Sequence, residues 1–103
     1  MTMGRPYSQW LKAWRKAGKP AFPVHAKIVA VHWVDACSSH DDDAGLVECV
    51  MVGFVKSATD ESITLAMEIG EDKACRMTFI VPAGMVKRVI DLATLQAFPS
   101  GGD

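Results

Sequence analysis

The chain has 103 residues, half of them hydrophobic and 22% charged, which excludes a disordered tail and bounds the fold to one domain with a single core. The net charge of −1 hides a division: residues 1–30 carry Arg5, Lys12, Arg15, Lys16, Lys19 and Lys27 and no acid, whereas residues 31–103 carry five basic and twelve acidic side chains. Such a separation marks an arm that seeks nucleic acid, an acidic partner, or the acidic body of its own domain.

In chain order, the N-terminal stretch MTMGRPYSQWLKAWRKAGKP has no apolar run followed by a small-residue cleavage site, so no secretory signal is expected. Nothing approaches the ~18 consecutive apolar residues of a membrane helix, and a cytoplasmic location with no membrane partner is expected. Residues 7–17, YSQWLKAWRKA, predict a short amphipathic helix with Ser8 as N-cap, Trp10 and Trp14 on one face, and Gly18 as the stop before Pro20. A helix this short is marginal alone, so its tryptophans need a surface to cover: the domain, a second subunit or an external partner. KPAFPV, with two prolines, reads as an extended connector.

From Lys27 the period becomes two. KIVAVHWVD is β-branched and aromatic and predicts a strand; LVECVMVGFVK, almost continuously apolar, predicts one buried on both faces and bent at Gly53. After the turn SATDE, SITLAME places Ile63, Leu65 and Met67 inward and Ser62, Thr64 and Glu68 outward. ACRMTFIV aligns Cys75, Met77, Phe79 and Val81 on one face, and Pro82 ends that strand before a turn or 3₁₀ helix at PAG. MVKRVIDL fits either a strand, with Val86 and Ile90 on one face, or a helix with a stripe of Val86, Val89, Ile90 and Ala93. The short reach from Pro82 favours a closing strand, with a helical turn over residues 93–97.

The expected fold is therefore mostly β: a small five-stranded SH3-like or Sm-like barrel with an N-terminal amphipathic α-helix. Its organisation is a basic helix and connector over residues 1–24, the barrel over 25–97, and a flexible tail over 98–103. The barrel likeness to Sm-like proteins is architectural; their RNA-contacting signatures are not visible and none is carried over.

Short motifs also resemble small uncharacterised proteins of phages and prophages over about residues 27–92. The matching positions are Trp33, Asp35 and Ala36 of a W-x-D-A strand end; Val52, Gly53 and Phe54 of a VG[F/W]V strand; residues 63–66, ITLA; and Val81 with Pro82 of a closing IP element. Gly84 departs from the polar residue usual there. The resemblance implies a mobile-element context and no catalytic residue.

Three cysteines, Cys37, Cys49 and Cys75, without C-x-x-C spacing argue against a disulfide framework and a zinc ribbon, and for a reducing compartment. In AVHWVDACSSHDDDAG, His25, Cys37 and His40 lack a recognised zinc spacing, and the triple aspartate does not fit a calcium loop. Cys37, His40 and Asp41 lie close together without a nucleophile signature, so no catalytic residue, metal or cofactor is expected. Ligand binding is better supported: Trp33 and Asp35 share a strand face, with Ser38, Ser39 and His40 beyond, an aromatic platform beside polar groups suited to a nucleobase and ribose. Trp10, Lys12, Trp14, Arg15 and Lys16 form a second candidate surface, for a partner or for nucleic acid. The reading is a non-enzymatic binding protein of phage type. It is expected to form a homo-oligomer and to antagonise host defence, by sequestering a small nucleotide-like ligand or by blocking a host protein. The alternative is a nucleic-acid-binding barrel that uses the basic helix.

Overall fold

The computed structural model describes residues 4–21, 26–35, 47–70, 72 and 74–95. Helix α1 (Tyr7–Lys16) precedes five strands, β1 (Ala26–Asp35), β2 (Val47–Ala58), β3 (Ser62–Ile69), β4 (Cys75–Pro82) and β5 (Val86–Leu95), with a 3₁₀ turn, Ala83–Met85, between the last two. The strands form one antiparallel sheet in the order β4-β3-β2-β1-β5.

That order forces curvature. In a flat sheet β4 and β5 would lie four strand spacings apart, about 19 Å. The three residues joining them, four Cα steps from Pro82 to Val86, span at most ~14 Å. The sheet must therefore roll toward a barrel, although β4 and β5 do not pair and it stays open. Register shifts help it turn, one in β2 between Val55 and Ser57 and two along β1–β5. Gly53, just before that shift in β2, packs closely against β3: a Cβ there would come within 2.7 Å of Met67 Cε and 3.0 Å of the Ala66 carbonyl oxygen.

The inner face carries Val29, Val31, Val55, Ile63, Leu65, Val81 and Val89, and α1 lays Tyr7, Trp10, Leu11 and Trp14 over it. The 7, 10, 11, 14 spacing makes one stripe of a 3.6-residue helix. Tyr7, Trp10 and Trp14 stack in sequence, with ring centroids 6.0 and 5.7 Å apart. Both indoles are satisfied: Trp10 Nε1 donates to Asp91 Oδ1 at 2.8 Å, and Trp14 Nε1 donates to the Pro20 carbonyl at 2.8 Å.

The helix stops as expected at Gly18. Gly18 N–H donates to the Arg15 carbonyl and Lys19 N–H to that of Trp14, with Gly18 at φ 92°, a Schellman cap. Its start differs from expectation: Pro6 is the N-cap, no side chain caps the turn, and Ser8 lies inside the first turn. Proline at this boundary presets φ and has no N–H to satisfy.

Three strand expectations are corrected. Strand β2 is not buried on both faces, because Val50 and Val52 are exposed on the side the helix does not cover. Residues 93–95 continue β5 instead of turning into a helix, held in register opposite residues 26–28. Val86 and Ile90 do not share a face: a register shift at His32/Trp33 sets Val86 opposite Trp33 and leaves Arg88 opposite His32.

Candidate functional site

Strand β1 carries Trp33 to the end of the sheet, opposite Cys49 on β2 and Val86 on β5. Alternation from Val29 and Val31 aims its ring inward, where it is half-buried and packs on the edge of the core with Met51, Met67 and Val86. Its indole Nε1 is buried and has no hydrogen-bond partner among the described residues, unlike those of Trp10 and Trp14. A buried donor left unmade costs roughly 1–3 kcal/mol. Of the other residues expected in this site, Asp35 ends β1 opposite Val47, and Ser38, Ser39 and His40 lie outside the described residues. The candidate metal and nucleophile residues His25, Cys37, His40 and Asp41 lie outside them as well.

The second candidate surface divides in two. Trp10 and Trp14 are 1% and 5% exposed, so their rings belong to the domain's own core and offer nothing to a partner. The reason is geometric: the cations at 12, 15 and 16 fall on the opposite side of the helix from the 7, 10, 11, 14 stripe. Lys12, Arg15 and Lys16 are exposed, and Lys19 extends their face beyond the helix. Arg15 pairs with Asp60 at 3.3 Å, whereas Lys12, Lys16 and Lys19 have no acidic partner among the described residues. The packing also ties the helix to the sheet as one unit, with Arg5 and Val89 exchanging backbone hydrogen bonds of 3.0 and 2.8 Å.

Two clefts flank α1. One of 410 Å³ lies between the start of the helix and the 3₁₀ turn, floored by Leu11, Ala83 and Val86, with Asp60 and Lys87 at its rim. A smaller one, 190 Å³, lies where Trp10 and Trp14 meet Lys27 and Asp91, an ion pair at 3.6 Å. Neither reaches Trp33.

On the outer face, His32 of β1, Glu48 of β2 and Lys87 of β5 form a charged group. Lys87 Nζ donates to Glu48 Oε2 at 3.3 Å, and His32 Nδ1 lies 3.8 Å from Oε1. The Lys87 hydrogen bond and charge hold the Glu48 carboxyl below its ordinary range. Buried Tyr7 moves the other way. Its hydroxyl lies 2.6 Å from the Thr59 carbonyl oxygen, to which it donates, and 3.0 Å from that of Ser62, and burial pushes its pKa up to about 12.

Among the described residues no three His, Cys, Asp or Glu side chains gather to hold a metal ion. No helix among them is long and apolar enough to cross a membrane. No family model matches the chain, and neither a curated protein nor a solved structure matches it. Two features are not legible in the sequence: the indole left without an acceptor among the described residues, which depends on what packs around Trp33, and the edge of β4 that no described residue covers.

Proposed function

We propose that this chain is a non-enzymatic binding protein of phage type. It holds a small nucleotide-like ligand at the Trp33 end of β1 and acts against host defence by sequestering that ligand. The observation that carries the reading is the buried Nε1–H of Trp33, which has no acceptor among the described residues. A ring half-buried against the core gives a rigid platform, and its unused donor suits a base carbonyl or a ribose or phosphate oxygen. The polar run Ser38, Ser39, His40 follows β1 directly in sequence and supplies further donors.

Native mass spectrometry of the protein purified from expressing cells, set against the same sample denatured, tests this. The expected result is an added mass of nucleotide size on the native species alone. Trp33→Phe keeps the ring and removes the donor, so it should lose that mass while the domain stays folded. Retention of the ligand by the variant would sink the site; a bare native species from the wild type would sink the ligand.

A second reading rests on a different observation, the exposed face of Lys12, Lys16 and Lys19 without described acidic partners. It makes the chain a nucleic-acid-binding barrel that contacts phosphates through α1. Affinity for a DNA duplex should then fall steeply with salt, and replacing Lys12 and Lys16 with alanine should flatten that slope by about two phosphate contacts. Salt-independent binding, or a slope unchanged in the variant, rejects it.

A further inference from the structure

We propose that the free edge of β4 pairs antiparallel with β4 of a second copy of this chain, about a two-fold axis through Phe79. The inference is independent of the ligand and nucleic-acid readings. The sheet has two edge strands, β4 and β5. Arg5 already covers part of β5, bonding Val89 from outside in both directions. No described residue covers β4. Its residues 76–80 are all exposed, with Met77 at 66%, Phe79 at 43% and Ile80 at 68%. Monomeric proteins protect such edges with lysines, inward charges or prolines. Here the strand Cys75–Pro82 holds one charge, Arg76, at one end and one proline at the other, with Met77, Thr78, Phe79 and Ile80 between them.

The strand is complementary to itself. With Phe79 on the axis, Thr78 faces Ile80 of the second copy, and Arg76 faces its Pro82 end. Arg76 is held by Asp72 of its own chain at 3.3 Å, so no unpaired charge lies between residues 78–80 of the two copies. Met77, at φ 56°, turns the backbone in the left-handed region, so the ladder runs over residues 78–80 of each strand. Pairing with β5 fits less well. Arg5 occupies the middle of that edge at Val89, which leaves only short stretches on either side of the bridge among the described residues. A two-fold contact closes on itself and gives a dimer with one continuous ten-stranded sheet, not a growing fibre.

A short ladder with a small apolar centre lies at the low end of specific interfaces, where dissociation constants are micromolar. Sedimentation of the full chain from about 1 to about 100 μM should therefore show a monomer–dimer equilibrium. Ile80→Lys should weaken dimerisation at least ~10-fold while leaving the circular dichroism unchanged. Crosslinking decides the geometry independently. With Cys37, Cys49 and Cys75 replaced by serine, Phe79→Cys should give a disulfide dimer on mild oxidation, because residues on the axis lie within disulfide reach. Leu92→Cys, exposed on β5, should not. A wild type that stays monomeric throughout overturns the proposal. So do assemblies larger than a dimer, or crosslinking by Leu92→Cys as efficient as by Phe79→Cys. If Ile80→Lys unfolds, the crosslinking result alone decides.

Discussion

Two regions of the same face meet opposite fates. On β3, Ile63 and Leu65 are fully buried; on β4, Val81 opposite Ile63 is buried, but Phe79 opposite Leu65 is exposed, and Met77 beyond it more so. All five residues obey one alternation, and what differs is the cover. Helix α1 and the rolled sheet enclose the Ile63–Val81 pair, whereas no described residue encloses the strand beyond Phe79. A period of two assigns a side chain to a face; burial depends on whether a second layer lies over that face.

Truncation should separate the two regions most sharply. Trp10→Ala should cost roughly 3–5 kcal/mol in urea unfolding, because it opens a cavity under the helix and strips Asp91 of its indole donor. Phe79→Ala, measured on dilute protein, should cost under about 1 kcal/mol, within the usual range for exposed positions. Equal losses would mean that β4 is covered after all. Next in size, Gly53→Ala should destabilise by roughly 1–3 kcal/mol, since the new methyl must displace Met67 and press on the Ala66 carbonyl. A neutral result would show that the β2–β3 contact has slack.

Tyr7→Phe tests the covered end through pH. At neutral pH it should cost about 1 kcal/mol for the lost hydroxyl contacts. Above its ordinary value of 10, the unfolded tyrosine releases its proton, while the folded one holds it until about 12. The unfolded state then binds fewer protons, so wild-type stability falls between pH 10 and 12. The phenylalanine variant should lack that part of the alkaline loss, so its stability deficit should narrow as pH rises. A gap between the two curves that stays constant across that window would place the hydroxyl in solvent. The smallest effect is expected at the open end. Met77→Gly relieves a left-handed backbone at φ 56° but adds chain entropy to the unfolded state, leaving a gain of about 0.5 kcal/mol in thermal unfolding. A loss instead would show that the methionine side chain is held against something.

Much of this organisation is legible in the residues. The amphipathic helix with its stop at Gly18, the strands over 27–35 and 62–69 and the 3₁₀ turn after Pro82 all follow from local chemistry. The inward placement of Ile63 and Leu65 does too. Other features are not local. The apolar run from Val47 reads as a doubly buried strand, yet Val50 and Val52 face away from the only layer that covers the sheet among the described residues. The bulge that swaps the face of Val86 relative to Ile90 arises in pairing with β1, and no spacing within MVKRVIDL announces it. The site divides in the same way. Aromatic and basic residues interleave in YSQWLKAWRKA, but the helix turns the tryptophans into the core and leaves the lysines outside.

Composition and period by themselves determined a mostly β domain with one amphipathic helix, because propensity, alternation and capping act over a few residues. Tertiary structure alone decided the rest. It set how far the sheet rolls before its edges stop short of pairing, which strands the helix covers, and why Trp33 keeps a donor without an acceptor among the described residues while Trp10 finds Asp91 eighty-one residues away. Those outcomes depend on which distant segments share one small volume, and no local window of the chain contains both partners.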